Sequence, residues 1–221
     1  FYDDVRPLSD AEKKALAGLP DVESGLRKEL GLGRTEGGGR RLLDSVMDPA
    51  LNVRGIRSAE VGDAAANAIP TQAQVSIDFR LVPDQTPEKV RQRVEDHLRA
   101  QGWYLVTAEP DRETRLAHPK IARVQWSLDY PAARTAMDLP VSRAVLAVVE
   151  AAAGAPIVQV PMLGGSVPMS LFTDTLDDVP VIGVPMVNHD NNQHGINENL
   201  RLQNLWDGIE VYAGLVAGLE W

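Results

Sequence analysis

The sequence predicts a mixed α/β protein in two parts: an antiparallel sheet backed by helices, then a stretch in which strands and helices alternate. Three observations predict it. Residues 72–82 alternate polar and apolar side chains with a period of two. Residues 86–102 carry apolar positions at helical spacing between a cap and a glycine. Past Gly154, short apolar runs alternate with helical stretches.

Taken in order, Ser9 and Glu12 fit a capping box, Pro20 suits the first turn of a second helix, and Gly31 to Gly39 is a glycine-rich break. The first 50 residues therefore read as short helices joined by loops. From Leu51 the pattern turns to strand. Along 72–82, Val75, Ile77, Phe79 and Leu81 share one face, and Gln74, Ser76, Asp78 and Arg80 share the other. Arg80 thus faces away from the apolar side. Thr86-Pro87 caps a helix with Val90, Val94 and Leu98 at four-residue spacing, closed by Gly102. Strands are expected at about 103–108 and 121–126, and a helix at about 141–153. The order strand, strand, helix, strand, strand, helix suggests an antiparallel sheet covered on one side by two helices. A strand at 157–161, a helix from Ser166, a strand at 179–187 and a last helix at about 202–219 then imply a parallel sheet with helices on its faces. These strands are too few to complete such a sheet, so its remainder is expected outside this sequence.

With 221 residues, 44% of them hydrophobic, the chain can bury a substantial core as one large domain or two smaller ones. It has no cysteine, which rules out a disulfide framework, a thiolate metal site and a cysteine nucleophile. A formal net charge of -9 argues against sequence-independent binding to nucleic acid or acidic membranes, both of which rely on basic patches. Small molecules or proteins are the favoured partners. No apolar run reaches the roughly 18 residues needed to span a bilayer, and Phe1-Tyr2-Asp3-Asp4 lacks the basic and apolar regions of a signal peptide. The expected location is the cytoplasm. Phe1 opens in what reads as mid-domain sequence, so a truncated or processed piece is considered.

Chemistry is sought in the last third. Gly164-Gly165-Ser166 sits between an expected strand and an expected helix, the setting of a serine-hydrolase elbow. That elbow wants glycine two residues after the serine, and Pro168 stands there, which argues against a serine nucleophile. The turn reads either as an anion- or carboxylate-binding site or as a structural cap by Ser166. His194 follows a polar loop after a strand, where open parallel sheets bind ligands; a lone histidine is also commonly a plain loop residue. The four histidines show no spacing of a self-contained metal site, so any partners of His194 lie elsewhere. Asn197 and Glu198 read as caps of the last helix. Arg80 is either a solvated strand arginine or, through its planar fork, a grip for a substrate carboxylate. Asn67, just before Ile69-Pro70, reads as a turn residue.

Together these segments resemble the dinuclear metal exopeptidase and deacylase family that includes carnosine-type dipeptidases, acetylornithine deacetylase, succinyl-diaminopimelate desuccinylase and carboxypeptidase G relatives. The match is carried by Asn67-Ala68-Ile69-Pro70 leading to Phe79-Arg80-Leu81-Val82-Pro83, by Gly164-Gly165-Ser166-Val167-Pro168, and by His194-Gly195-Ile196-Asn197-Glu198. Tyr2-Asp3-Asp4-Val5-Arg6-Pro7 and the Gly-Gly-Ser-aliphatic-Pro form resemble the dipeptidase branch. The resemblance covers essentially the whole chain.

It implies a ferredoxin-like α+β lid and dimerisation domain over residues 1–159, followed by the C-terminal part of an α/β catalytic domain over 160–221. It further implies two divalent metal ions, zinc or manganese, per full-length subunit, a small peptide or N-acyl amino acid substrate, and a homodimer formed through the lid. His194 corresponds to the last metal ligand, Arg80 to the lid arginine that grips the substrate carboxylate, and Gly165 with Ser166 to the substrate-binding turn. Asn67 corresponds to a lid residue acting across the dimer, where many dipeptidases have threonine. The family's early His-x-Asp pair, bridging aspartate, Glu-Glu pair with the general base, and lid histidine are not found in this sequence. They are expected upstream of Phe1, so no catalytic base is assigned here. The expected function is that of the C-terminal portion of a metal-dependent dipeptidase or amide hydrolase, inactive alone; the alternative is a non-catalytic dimerisation module.

Overall fold

In the computed structural model, which describes residues 1–127 and 129–219, the helices are α1 (Asp10–Ala17), α2 (Glu23–Glu29), α3 (Leu42–Ser45), α4 (Pro87–Ala100), α5 (Arg112–Ala117), α6 (Pro140–Ala153), α7 (Ser170–Thr173) and α8 (Leu202–Gly218). The strands are β1 (Ala50–Arg57), β2 (Gln74–Arg80), β3 (Tyr104–Val106) and β4 (Ile121–Arg123). The chain divides into two compact units, Phe1–Arg6 with Met47–Ala132, and Pro7–Val46 with Ala133–Trp221. Their breaks fall at 6/7, 46/47 and 132/133.

In the first unit, β1 and β2 pair antiparallel, with Leu51 opposite Phe79, Val53 opposite Ile77 and Ile56 opposite Val75 across a bulge between Val53 and Gly55. The expected alternation of β2 is there, but its apolar side is not a buried face: Val75 is 55% and Ile77 41% exposed. The core lies at the far end of the strand. Phe79 meets Phe1 and Trp126 ring to ring, and Val82 and Val90 are buried. Residues 82–85 form a turn in which Gln85 N–H donates to the Val82 carbonyl, Pro83 leads, and Asp84 takes a positive φ of 76°. The first residues clasp this turn. Gln85 Nε2 donates to the Phe1 carbonyl at 2.6 Å, and Arg6 pairs with both carboxylate oxygens of Asp84. Thr86 then caps α4 by accepting from Lys89 N–H, with Pro87 in the first turn, as its sequence predicts.

The strands expected near 103–108 and 121–126 form as β3 and β4, but they pair parallel, not within one antiparallel sheet. The reason is α5, which the sequence reading left out. Asp111 accepts from Thr114 N–H and starts this helix between the two strands, and a helical crossover returns the chain in the same direction.

In the second unit, the capping box of α1 is present: Glu12 N–H donates to Ser9 Oγ, and Ser9 N–H donates to Glu12 Oε2. Glu12 is buried, and its other oxygen is ion-paired with Arg134 Nε at 3.0 Å, an arginine whose side chain is only 3% exposed. Helix α2 begins at Glu23 after Val22, so Pro20 precedes it and is not in its first turn. Helix α6, expected to cover the first sheet, packs on α8. Gly214 and Gly218 allow that approach: a Cβ on them would stand 3.2 Å from Ala152 Cβ and 3.3 Å from Val148 Cγ2.

Two expected strands, 157–161 and 179–187, form no ladder among the described residues. Extended backbone needs a neighbour to satisfy its N–H and C=O groups. At Val181 a side chain supplies both: Thr135 Oγ1 donates to its carbonyl at 2.7 Å and accepts from its N–H at 3.0 Å. The helix expected from Ser166 is the single turn α7, preceded by Met169, so Ser166 does not cap it. Pro168 explains the delay, since it disfavours helical backbone at Val167 and has no N–H to give. No described helix is long and apolar enough to cross a membrane.

Candidate functional site

Arg80 closes β2, opposite Ala50, and its Nε donates to Asp78 Oδ2 at 2.6 Å. Asp78 is the preceding residue on the same face, because side chains two apart on a strand point the same way. Asn67 lies in an exposed loop, where Ala68 N–H donates to the Ala66 carbonyl and folds the backbone tightly around it. Both residues belong to the first unit.

Gly165, Ser166 and His194 belong to the second unit. Gly165 and Ser166 are exposed, and a Cβ on Gly165 would meet nothing within 4 Å, so the turn is open on that side. Its neighbour Gly164 is closer packed, 3.5 Å from Val46 Cγ1 at the ideal Cβ position.

His194 sits in a loop held by asparagines. Asn188 and Asn191 are buried. Asn188 Nδ2 donates to Asp190 Oδ1 at 2.8 Å and to Asn199 Oδ1 at 3.3 Å, while its own Oδ1 accepts from Arg201 N–H at the start of α8. Asn191 Oδ1 accepts from Gln193 N–H, and the Asn191 carbonyl accepts from Asn199 N–H at 2.8 Å, closing the base of the loop. Inside it, Asn192, His194 and Asn197 hold φ of 54°, 65° and 65°. Left-handed backbone costs about 1–2 kcal/mol for a residue with a Cβ, so the loop holds His194 in a conformation the free chain avoids. Gly195 is required here: a Cβ on it would lie 2.7 Å from Asn192 Nδ2, which is engaged with the Ile196 carbonyl. Asn197 and Glu198 do not cap α8, whose first turn follows Arg201 with no side-chain cap.

The hydrogen bond from Asn188 holds the Asp190 carboxyl below its ordinary range, helped by the charges of Arg201 and His189 against the opposing effect of desolvation. Arg201 Nη2 pairs with Asp190 Oδ2 at 2.5 Å, tying the loop to α8. Sequence reading missed this framework of Asn188, Asn191, Asn199 and Asp190, and it missed the Asp78–Arg80 pair. The density of asparagine between 188 and 199 was the available signal, since its short amide side chain bonds nearby backbone and tolerates left-handed φ.

Among the described residues, no group of three histidine, aspartate or glutamate side chains gathers as metal ligands. His194 with the residues around it does not make up a metal site, since a bound zinc takes at least three protein ligands.

Residues 12–102 match the peptidase dimerisation domain of the M20 family. Over 220 residues the chain is 27% identical to the Cys-Gly metallodipeptidase DUG1 of Saccharomyces cerevisiae, covering 95% of this chain and 41% of that protein. In fold it is similar to the M20 family metallo-carboxypeptidase Sso-CP2 from Sulfolobus solfataricus (TM-score 0.75, 23% identity, 98% of this chain and 46% of that one). It is also similar to human carnosine dipeptidase 1 (TM-score 0.66, 19% identity, 96% of this chain and 43% of that one). The chain thus spans less than half the length of each of these relatives. The resemblance read from its motifs holds: residues 12–102 match an M20 peptidase dimerisation domain, and the chain is distantly similar to a metallodipeptidase over part of that protein's length.

Proposed function

We propose that this chain is the C-terminal portion of a dimetal dipeptidase or related amide hydrolase, which cleaves dipeptides or N-acyl amino acids by metal-activated water in the cytoplasm. The observation that carries the reading is the similarity to a metallodipeptidase along 95% of the chain. In this reading the first unit belongs to a ferredoxin-like lid, and Arg80 there grips the free carboxylate of the substrate. Asn67 acts from the lid across a homodimer. Gly165 and Ser166 bind substrate, with the open side of Gly165 leaving room for a ligand to approach the backbone. His194 gives one ligand to a zinc or manganese pair, and the other ligands and the general base come from upstream sequence.

The test is hydrolysis of a free dipeptide with added zinc or manganese, by this 221-residue chain and by the full-length protein. The chain alone is expected to be inactive and the full-length protein active, because a hydrolytic metal site needs about three protein ligands per ion and a base. Metal-dependent turnover by the 221-residue chain overturns the reading.

The match to a dimerisation domain supports a second reading, a non-catalytic dimerisation module. Leu51, Val53, Ile56, Val75 and Ile77, all more than 40% exposed, give the β1–β2 ribbon an apolar side suited to a symmetric partner. Both readings expect dimers. Sedimentation at micromolar concentration showing monomer alone counts against both, and an inactive full-length protein leaves the module.

A further inference from the structure

Asp78 and Arg80 stand on one face of β2, with Asn52 and Ala50 as their cross-strand partners. The small Ala50 opposite Arg80 offers the guanidinium no polar anchor from its side chain. Asp78 does: its Oδ2 accepts from Arg80 Nε at 2.6 Å, with the aspartate 27% and the arginine 50% exposed at the side chain. A long arginine stem at a strand end sweeps many rotamers, and ordering it on substrate binding costs affinity unless it is already held. A carboxylate on Nε fixes the guanidinium plane through the nitrogen nearest the stem.

The same carboxylate also lowers the positive potential that a substrate anion meets. These effects have opposite signs. Water screens the charge effect at this exposure, whereas the orientation of the fork is a matter of geometry and is not screened. Positioning therefore wins.

We propose that Asp78 is a positioning residue for Arg80, setting the orientation in which its guanidinium meets the free carboxylate of a dipeptide-class substrate. This rests on the carboxylate-binding reading of Arg80 given above.

The experiment is steady-state kinetics of the full-length enzyme on one dipeptide, offered with a free C-terminal carboxylate and as its C-terminal amide. Asp78→Ala is expected to raise KM for the free carboxylate about ten-fold, the lower end for a hydrogen bond to a charged group. Its kcat should change by less than about two-fold, as befits lost ground-state binding, and the constants for the amide should stay put. Asp78→Asn keeps an oxygen that accepts from Nε, so KM should rise by no more than about three-fold. In an Arg80→Ala background, Asp78→Ala should add nothing, since the two act through one contact.

An unchanged or lowered KM in Asp78→Ala, an equal loss on the amide, or additivity with Arg80→Ala overturns the proposal. If Arg80→Ala hurts the dipeptide and its amide alike, the carboxylate reading falls and takes this proposal with it. If Arg80→Ala separates the two substrates and Asp78→Ala does not, only the positioning role falls.

Discussion

Arg80 and His194 differ in how their neighbours hold them, and so in what their replacement should do. Arg80→Lys keeps the charge but loses the planar fork and the Nε bond to Asp78. With the proposed carboxylate contact worth about 1.5–3 kcal/mol, kcat/KM of the full-length enzyme for a free dipeptide should fall roughly ten- to a hundred-fold. An unchanged kcat/KM with the fold intact returns Arg80 to a solvated strand residue. His194→Ala should instead lower the metal content of the full-length enzyme, measured by elemental analysis. Asp190 offers a pH test of the asparagine loop. Its folded pKa is depressed, first by the Asn188 hydrogen bond, so its stabilising effect is full above the unfolded carboxylate value of about 3.9 and is lost as pH falls through the lower folded value. NMR titration of the Asp190 carboxyl should give a midpoint below that ordinary value, and Asn188→Ala should move it upward. The histidine and the arginine stood out in the sequence because their residue types carry chemistry. The residues that orient them did not, because asparagine and aspartate in loops usually read only as turn formers.

At the scale of elements, local signals were the legible ones. The Ser9–Glu12 box and the Thr86-Pro87 cap appear as expected, since caps are made by residues three or four apart. Pairing was less legible. Nothing in the periodicity of 121–126 says that its neighbour runs parallel, and the missed helix α5 decides it. Likewise, the apolar face of α6 does not name α8 as its partner. Helix α8 also shows where glycine is needed in a helix interior. A Cβ on Gly208 would fall 2.1 Å from Met186 Sδ and 2.8 Å from Met186 Cγ. Gly208→Ala gains about 1 kcal/mol of helix propensity but forces this contact apart at about 1–3 kcal/mol. A net loss of up to about 2 kcal/mol is expected in chemical denaturation. Shortening the obstacle with Met186→Ala in the same chain should return part of it, and a raised midpoint for Gly208→Ala alone would show that Met186 swings aside freely.

At the scale of the whole molecule, the sequence separated an early sheet-and-helix region from a later alternating one. It did not disclose that the two compact units interleave along the chain. Local patterns cannot report such interleaving, because it depends on contacts between distant segments. The Glu12–Arg134 pair is one of them, sealing Pro7–Val46 to Ala133–Trp221 within the second unit. That seal has a consequence in time. As the chain leaves the ribosome at about 5–20 residues per second, Glu12 emerges long before Arg134. Its capping box can close at once, yet its second oxygen must wait in water until Arg134 arrives. The unit made of the outer segments is therefore the later to assemble, and α1 is its waiting half, exposed to chaperones and proteases for seconds before its buried cation reaches it.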